Sequence, residues 1–185
     1  MTRLLAALGL TLLAACGGPT MRLDVATADS DLRLAAPFRS AIVRTVQLPT
    51  YAAAEEIAVE TAPGVITQSD DLLWGDAPDR AMTLAVARQL DDILSATVGP
   101  DPWPFAGLPD VAVDIRVSDM IAGADGVFRL DGQFYTGGDG IDWPNASESF
   151  AIAVPLAGTE PGAIAAAQAA AVRELSERIA RQLGR

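Results

Sequence analysis

"DVAVDIRVS" occupies residues 110–118, and its alternation decides the fold. Val111, Val113, Ile115 and Val117 point one way, and Ala112, Asp114, Arg116 and Ser118 the other. This two-residue period belongs to a strand with one buried face. The pattern returns twice downstream. Phe128, Leu130 and Phe134 follow the turn "GADG" (residues 123–126), and Phe150, Ile152 and Val154 follow "GGDG" (residues 137–140). Asp-Gly steps between alternating runs signal hairpins, so an antiparallel three-strand meander is expected.

A sheet with one apolar face needs a cover, and two amphipathic helices can supply it. In "WGDAPDRAMTLAVARQLDDIL" (residues 74–94), Asp76 is placed to act as N-cap, Pro78 falls in the first turn, and Asp79 imitates a capping-box acid. At 100° per residue Met82, Ala85, Val86, Leu90 and Ile93 share one face. Arg80, Arg88 and Asp91 lie opposite, with Leu84 the apolar exception. Gly99-Pro100 is expected to end this helix, and Pro102, Pro104 and Pro109 to stiffen the loop "GPDPWPFAGLPD" (residues 99–110). A second helix opens at Thr159-Glu160-Pro161 and runs to about Leu183. Ile164, Ala171, Val172, Leu175 and Ile179 line one side, and Glu174–Arg178 and Glu177–Arg181 form i,i+4 pairs.

Upstream, "FRSAIVRTVQL" (residues 38–48) reads as a strand stopped by Pro49, and "EIAVETAPGVITQ" (residues 56–68) as two short strands about Pro63-Gly64. The expected fold is α+β: a mostly antiparallel mixed sheet with two amphipathic helices packed on one face, one domain over residues 37–185.

Composition removes most catalytic chemistry. The chain has no histidine, all 13 of its cationic residues are arginine, and Cys16 is the only cysteine. That leaves no imidazole base, no Ser-His or Cys-His pair, no Schiff-base amine and no thiolate metal cluster. A net charge of −11 argues against nucleic acid as partner, because binding it depends on cationic neutralisation of phosphates.

Residues 1–15 read as a signal peptide: Arg3, an apolar run from Leu4 to Leu13, then Ala14 and Ala15. The run is too short to span a bilayer, which needs roughly 20 residues. Leu13-Ala14-Ala15-Cys16-Gly17 resembles the bacterial lipobox, in which the cysteine sulfur takes diacylglycerol and the leader is cut just before it. Cys16 is therefore the expected lipidation site, with no other cofactor, and Gly17 after it points to the outer membrane. Residues 16–36 are expected as a lipidated N-terminus and tether carrying one short strand at Met21-Leu23-Val25.

Candidate sites have plain readings beside sharper ones. Glu55-Glu56, Asp70-Asp71 and Asp91-Asp92 are adjacent acids whose side chains diverge, so solvated surface explains them better than a paired acid and base. The Asp-Gly steps at Asp125, Asp131 and Asp139 lack the register of a calcium loop. Leu48-Pro49-Thr50-Tyr51, Trp74, Trp103-Pro104-Phe105 and Trp143-Pro144 place aromatics near loops, either as lids on the core or as partner anchors.

The order of these landmarks ("LPTY", "EEIAVET", "GVITQSDDLLWGDAPDRAMTLAVARQLDDIL", "VAVDIRV", "FAIAVPL", then a terminal helix) resembles the PqiC-type, ABC-type transport auxiliary lipoproteins. It is carried by Leu48, Pro49, Tyr51, Trp74, Asp76, Leu84, Arg88 and Leu90 and covers most of the chain after Arg39. Two departures stand out: Met21-Arg22-Leu23-Asp24 where the family often has an aromatic-rich strand, and Phe134 where it often has Trp. The resemblance implies a non-enzymatic subunit of an MCE-type lipid transport system in the outer membrane. It would face the periplasm and associate with an MCE-domain protein and its inner-membrane transporter. It also makes Leu48, Pro49, Tyr51 and Trp74 candidate partner or core-lid residues. Self-association as a homo-oligomer is left open beside these partners, and the alternative functions are a lipoprotein assisting outer-membrane assembly and, behind it, a carboxylate-dependent envelope hydrolase.

Overall fold

The computed structural model describes residues 20–184; the leader, Cys16 and its lipobox fall outside them. In chain order the elements are β1 (Met21–Leu23), β2 (Ser40–Val43), α1 (Thr50–Ala53), β3 (Glu56–Ala62), β4 (Val65–Trp74), α2 (Pro78–Ile93), β5 (Thr97–Pro100), β6 (Val111–Ala122), β7 (Val127–Gly138), β8 (Ala146–Pro155) and α3 (Pro161–Leu183).

The meander forms as its alternation requires. β6 and β7 pair antiparallel from Val111↔Gly138 to Ala122↔Phe128, and β7 and β8 from Val127↔Pro155 to Thr136↔Ala146. Val113, Ile115, Leu130, Phe134 and Ile152 are buried on the shared face. One irregularity shapes that face. Val117 opposes Gly132 but Asp119 opposes Asp131, so Ser118 is the extra residue of a β-bulge. The bulge reverses the alternation, and Met120 and Ala122 take the buried side that Val111 to Val117 held before it. Gly132 is required opposite: a β-carbon there would meet the Arg116 carbonyl oxygen at 2.3 Å and Cζ of Phe150 at 2.8 Å.

The other edge of β6 takes two parallel partners. β2 lies along its start, Ala41↔Val111 to Val43↔Val113, and β3 touches its end at Val59↔Ala122. β2 carries β5 outward in parallel, while β3 carries β4 antiparallel and β4 carries β1 in parallel. The result is one sheet of eight strands in which the antiparallel ladders are long and the parallel ones short. α2 and α3 pack together on one face and bury Met82, Val86, Leu90 and Ile93 from α2 and Ala171, Val172, Leu175 and Ile179 from α3. Each such Val, Leu, Ile or Met side chain stabilises the fold by about 1.5–3 kcal/mol. Leu84, the apolar exception on the helical wheel, is 40 % exposed.

Five local expectations are corrected. The N-cap of α2 is Ala77, because Pro78 has no N–H and its fixed φ already starts the helix. The Asp76 carboxylate accepts from the Ala77 amide at 2.9 Å and pairs with Arg80, while Asp79 accepts from the Arg80 amide at 2.8 Å. α2 stops at its C-cap Leu94, so Gly99 and Pro100 belong to β5, where edge position tolerates proline. Only residues 40–43 of the run 38–48 are regular strand: the Val46 amide donates to Thr83 Oγ1 on α2 at 2.9 Å, which draws it out of the ladder. Pro49 does more than stop that run. Its carbonyl accepts from the Ala52 and Ala53 amides at 2.9 and 3.0 Å, starting α1.

The fifth concerns residues 20–36, expected as a tether. They lie against the body of the protein. β1 pairs with the end of β4, Gln89 Nε2 donates to the Ala28 carbonyl at 3.1 Å, and the Ser30 hydroxyl donates to Glu177 at 2.8 Å. Leu34 then bridges Leu94, donating its amide to the Ile93 carbonyl at 2.9 Å. The segment rests Leu23, Val25, Leu32 and Leu34 on the two cores, while its backbone bonds to β4, to Gln89 and Ile93 of α2 and to Ser95 just beyond it.

Candidate functional site

Leu48, Pro49 and Tyr51 are half-buried at the start of α1, and Leu48 and Tyr51 pack on the main core. The Tyr51 hydroxyl donates to Asp119 at 2.5 Å and accepts from the Met120 amide at 3.2 Å, the two residues just past the β6 bulge. Burial, and then the hydrogen bond to the Asp119 carboxylate, push the Tyr51 phenol up to about 12. Gln68 Nε2 donates to the Tyr51 and Glu56 carbonyls at 3.2 and 3.3 Å, which ties α1 to the β3–β4 hairpin. Trp74 sits elsewhere. It is 6 % exposed in a second, smaller core with Ile57 and Ala165, edged by Leu23, Leu72 and Ile164. Its amide donates to the Glu55 carbonyl at 2.7 Å, and its carbonyl accepts from Arg22 at 2.9 Å. The structure thus brings Leu48, Pro49 and Tyr51 together and places Trp74 in a separate cluster.

The adjacent acids point apart. Glu55 pairs with Arg22 at 3.1 Å, Asp70 and Asp71 are exposed on β4, Asp91 accepts the Val98 amide at 2.8 Å, and Asp92 is exposed. Asp125 pairs with Arg129, whose guanidinium holds the Asp125 carboxyl below its ordinary value, and Asp139 pairs with Arg44 at 2.8 Å. Burial works against the charge of Glu177, yet the Ser30 hydroxyl and Arg181 hold its pKa below the usual range. Among the described residues no three of His, Cys, Asp and Glu gather to hold a metal ion.

What the surface does offer lies at the two ends of β6. Around its start, Phe105, Leu108 and Ile141 are 51, 75 and 42 % exposed. They are held up by packed neighbours: Trp103 meets Phe105 edge-on at 5.0 Å, and Trp143 meets Phe38 edge-on at 5.3 Å. The loops that carry them touch, since a β-carbon on Gly140 would lie 2.6 Å from the Pro109 carbonyl oxygen and 3.5 Å from Leu108 Cβ. Around the end of β6, the tip of the β3–β4 hairpin and the β6–β7 turn enclose an open groove of about 720 Å³, walled by Glu60, Pro63, Ile66, Ile121, Asp125 and Arg129. Sequence reading marked the first end through Trp103-Pro104-Phe105 and Trp143-Pro144, without singling out Leu108 or Ile141, and missed the second. Proline and aromatic density hinted at the first, whereas the second arises only when residues 63–66 and 121–129 meet across the sheet.

Residues 23–180 match the model of a family described as the ABC-type transport auxiliary lipoprotein component. No match was found among curated proteins. Two crystal structures are similar in fold. One, of an uncharacterized protein, shares 15% identity over 90% of this chain and 100% of its own, with a TM-score of 0.75. The other, of a Xanthomonas campestris protein assigned to the family model DUF330, shares 18% identity over 89% of this chain and 92% of its own, with a TM-score of 0.63.

Proposed function

Because the chain belongs to the ABC-type transport auxiliary lipoprotein family, we propose that it is a non-enzymatic subunit of an MCE-type lipid transport system. In this reading Cys16 carries the lipid, the outer membrane holds the anchor, and the folded domain faces the periplasm to dock the MCE-domain protein that reaches from the inner-membrane transporter. The observation that carries the docking role is the exposed apolar patch of Phe105, Leu108 and Ile141 on braced loops. Apolar side chains presented on rigid supports are the usual anchors of a protein interface. A chain without histidine or lysine, in which Asp125 and Asp139 pair with arginines, Asp91 holds a backbone amide and Asp70, Asp71 and Asp92 face solvent, supports positioning over chemistry.

The test is purification from envelopes of cells that also make the MCE-domain protein. The mature chain should show the mass of an acylated Cys16 and co-purify with the MCE-domain protein in detergent. Cys16→Ala should leave the outer membrane yet still bind that protein in vitro. A chain that is never acylated and never associates would sink the reading.

A further inference from the structure

From the direction in which the chain enters the sheet, we infer that the tip of the β3–β4 hairpin, Pro63-Gly64-Val65-Ile66, seats in the interface of a neutral phospholipid bilayer. The inference rests on lipidation of Cys16. β1 runs parallel to β4 with Met21 opposite Leu72. The chain ahead of Met21 therefore comes from the side of the hairpin tip, the end of β4 that begins at Val65. Cys16 precedes Met21 by five residue steps. Fully extended, those five steps reach at most about 17 Å. Val65 lies seven residues before Leu72 along β4, about 24 Å at ~3.4 Å per residue. Even with the leash drawn straight along β4, the tip passes the anchored sulfur by roughly 7 Å, within the ~5–10 Å depth of an interfacial segment.

The tip is built for that depth. Residues 61–69 carry no charge, and all are exposed. Val65 and Ile66 are 50 and 43 % exposed at the turn, where Gly64 adopts φ +74°. The nearest charges are matched. Glu60 accepts the Gly64 amide at 2.9 Å, and Arg129 pairs with Asp125 beside it, 4.0 Å from Glu60. Asp70 and Asp71 stand five and six residues up β4 from Val65, about 17 Å or more from the tip and so above the interface. With a net charge of −11 the protein gains nothing from anionic headgroups, so the lipid surface it fits is a neutral one.

The experiment uses the full chain with Val65→Cys or, as the control from the opposite end, Leu108→Cys. An acylated Cys16 is a thioether and does not react, so a maleimide fluorophore labels the introduced thiol alone. The labelled proteins are reconstituted into phosphatidylcholine–phosphatidylethanolamine vesicles with brominated acyl chains. The expected result is a blue-shifted emission quenched by bromine at position 65, and a water-like, unquenched emission at position 108. Intact mass reads acylation in the same samples. An unacylated Cys16 overturns the anchor and the inference together, whereas an acylated chain with a water-like probe at 65 overturns the inference alone. Shielding at 65 that grows with protein concentration and shows no bromine quenching assigns the tip to a second copy, and also overturns it.

Discussion

Tyr51 places one hydroxyl between segments that the chain separates by 68 residues. A bulge leaves a strand locally unpaired, and this one is braced from outside the sheet: Asp119 accepts from the phenol while the Met120 amide donates to it. Tyr51→Phe removes both bonds and leaves the Met120 amide without this acceptor. One bond to a charged group at a half-exposed site puts the loss at about 1.5–2 kcal/mol, read as a lower urea midpoint at pH 7. The phenol also sets a pH window. Its pKa is about 12 in the fold and about 10 in an unfolded chain. Below pH ~10 both states keep the proton and the contribution is whole. Between there and about 12 the unfolded chain binds fewer protons, so stability falls as pH rises. Tyr51→Phe should lack that alkaline slope in a urea series taken from pH 8 to 11. An equal slope in both proteins would show that Tyr51 is not the titrating group.

β6 shows where reading by period succeeds and where it stops. Val111 to Val117 alternate in the sequence and face the helices as the alternation demands. The continuation "SDMIA" gives no such sign, because the bulge depends on the opposite strand, where a β-carbon on Gly132 would run into the Arg116 carbonyl oxygen, Val117 Cα and the Phe150 ring. Gly132→Ala should therefore cost about 3 kcal/mol, the upper range for overpacking, since two of the three atoms it meets are backbone. In a chain of this length that is a fall in Tm of about 6–12 °C by calorimetry. A change under ~2 °C would show that the bulge can relax around the methyl group. The same limit explains the other surprises. Periodicity located α2 and α3 because each carries its own buried stripe, whereas residues 20–36 offer only short alternating runs, Leu23-Val25 and Leu32-Leu34-Ala36, packed half-buried on the two cores. Their order also needs the β1–β4 ladder and polar contacts with Gln89 and Glu177, which no local pattern encodes. Of the candidate residues, "LPTY" was legible as a unit. That Tyr51 clamps Asp119 while Trp74 joins a different core depends on long-range pairing and was not.

At the scale of the molecule, β6 separates two apolar ends with different demands. The hairpin end lies on the side from which the chain arrives at β1, and the loop end carries Phe105, Leu108 and Ile141. A subunit that joins a membrane to a partner needs such a division, because one apolar surface cannot face both. The division predicts that the two ends fail independently. Leu108→Asp combined with Ile141→Asp alters only exposed side chains, so unfolding should stay within about 0.5 kcal/mol of the parent per site. Removing an interface anchor costs about 2 kcal/mol or more, so the Kd for the MCE-domain protein should rise about thirtyfold, measured by titration in detergent. Val65→Asp, at the other end, should leave that Kd unchanged. The reverse pattern, with binding lost at position 65 and kept at 108 and 141, would move the partner to the hairpin and leave the loop end without the docking role given to it.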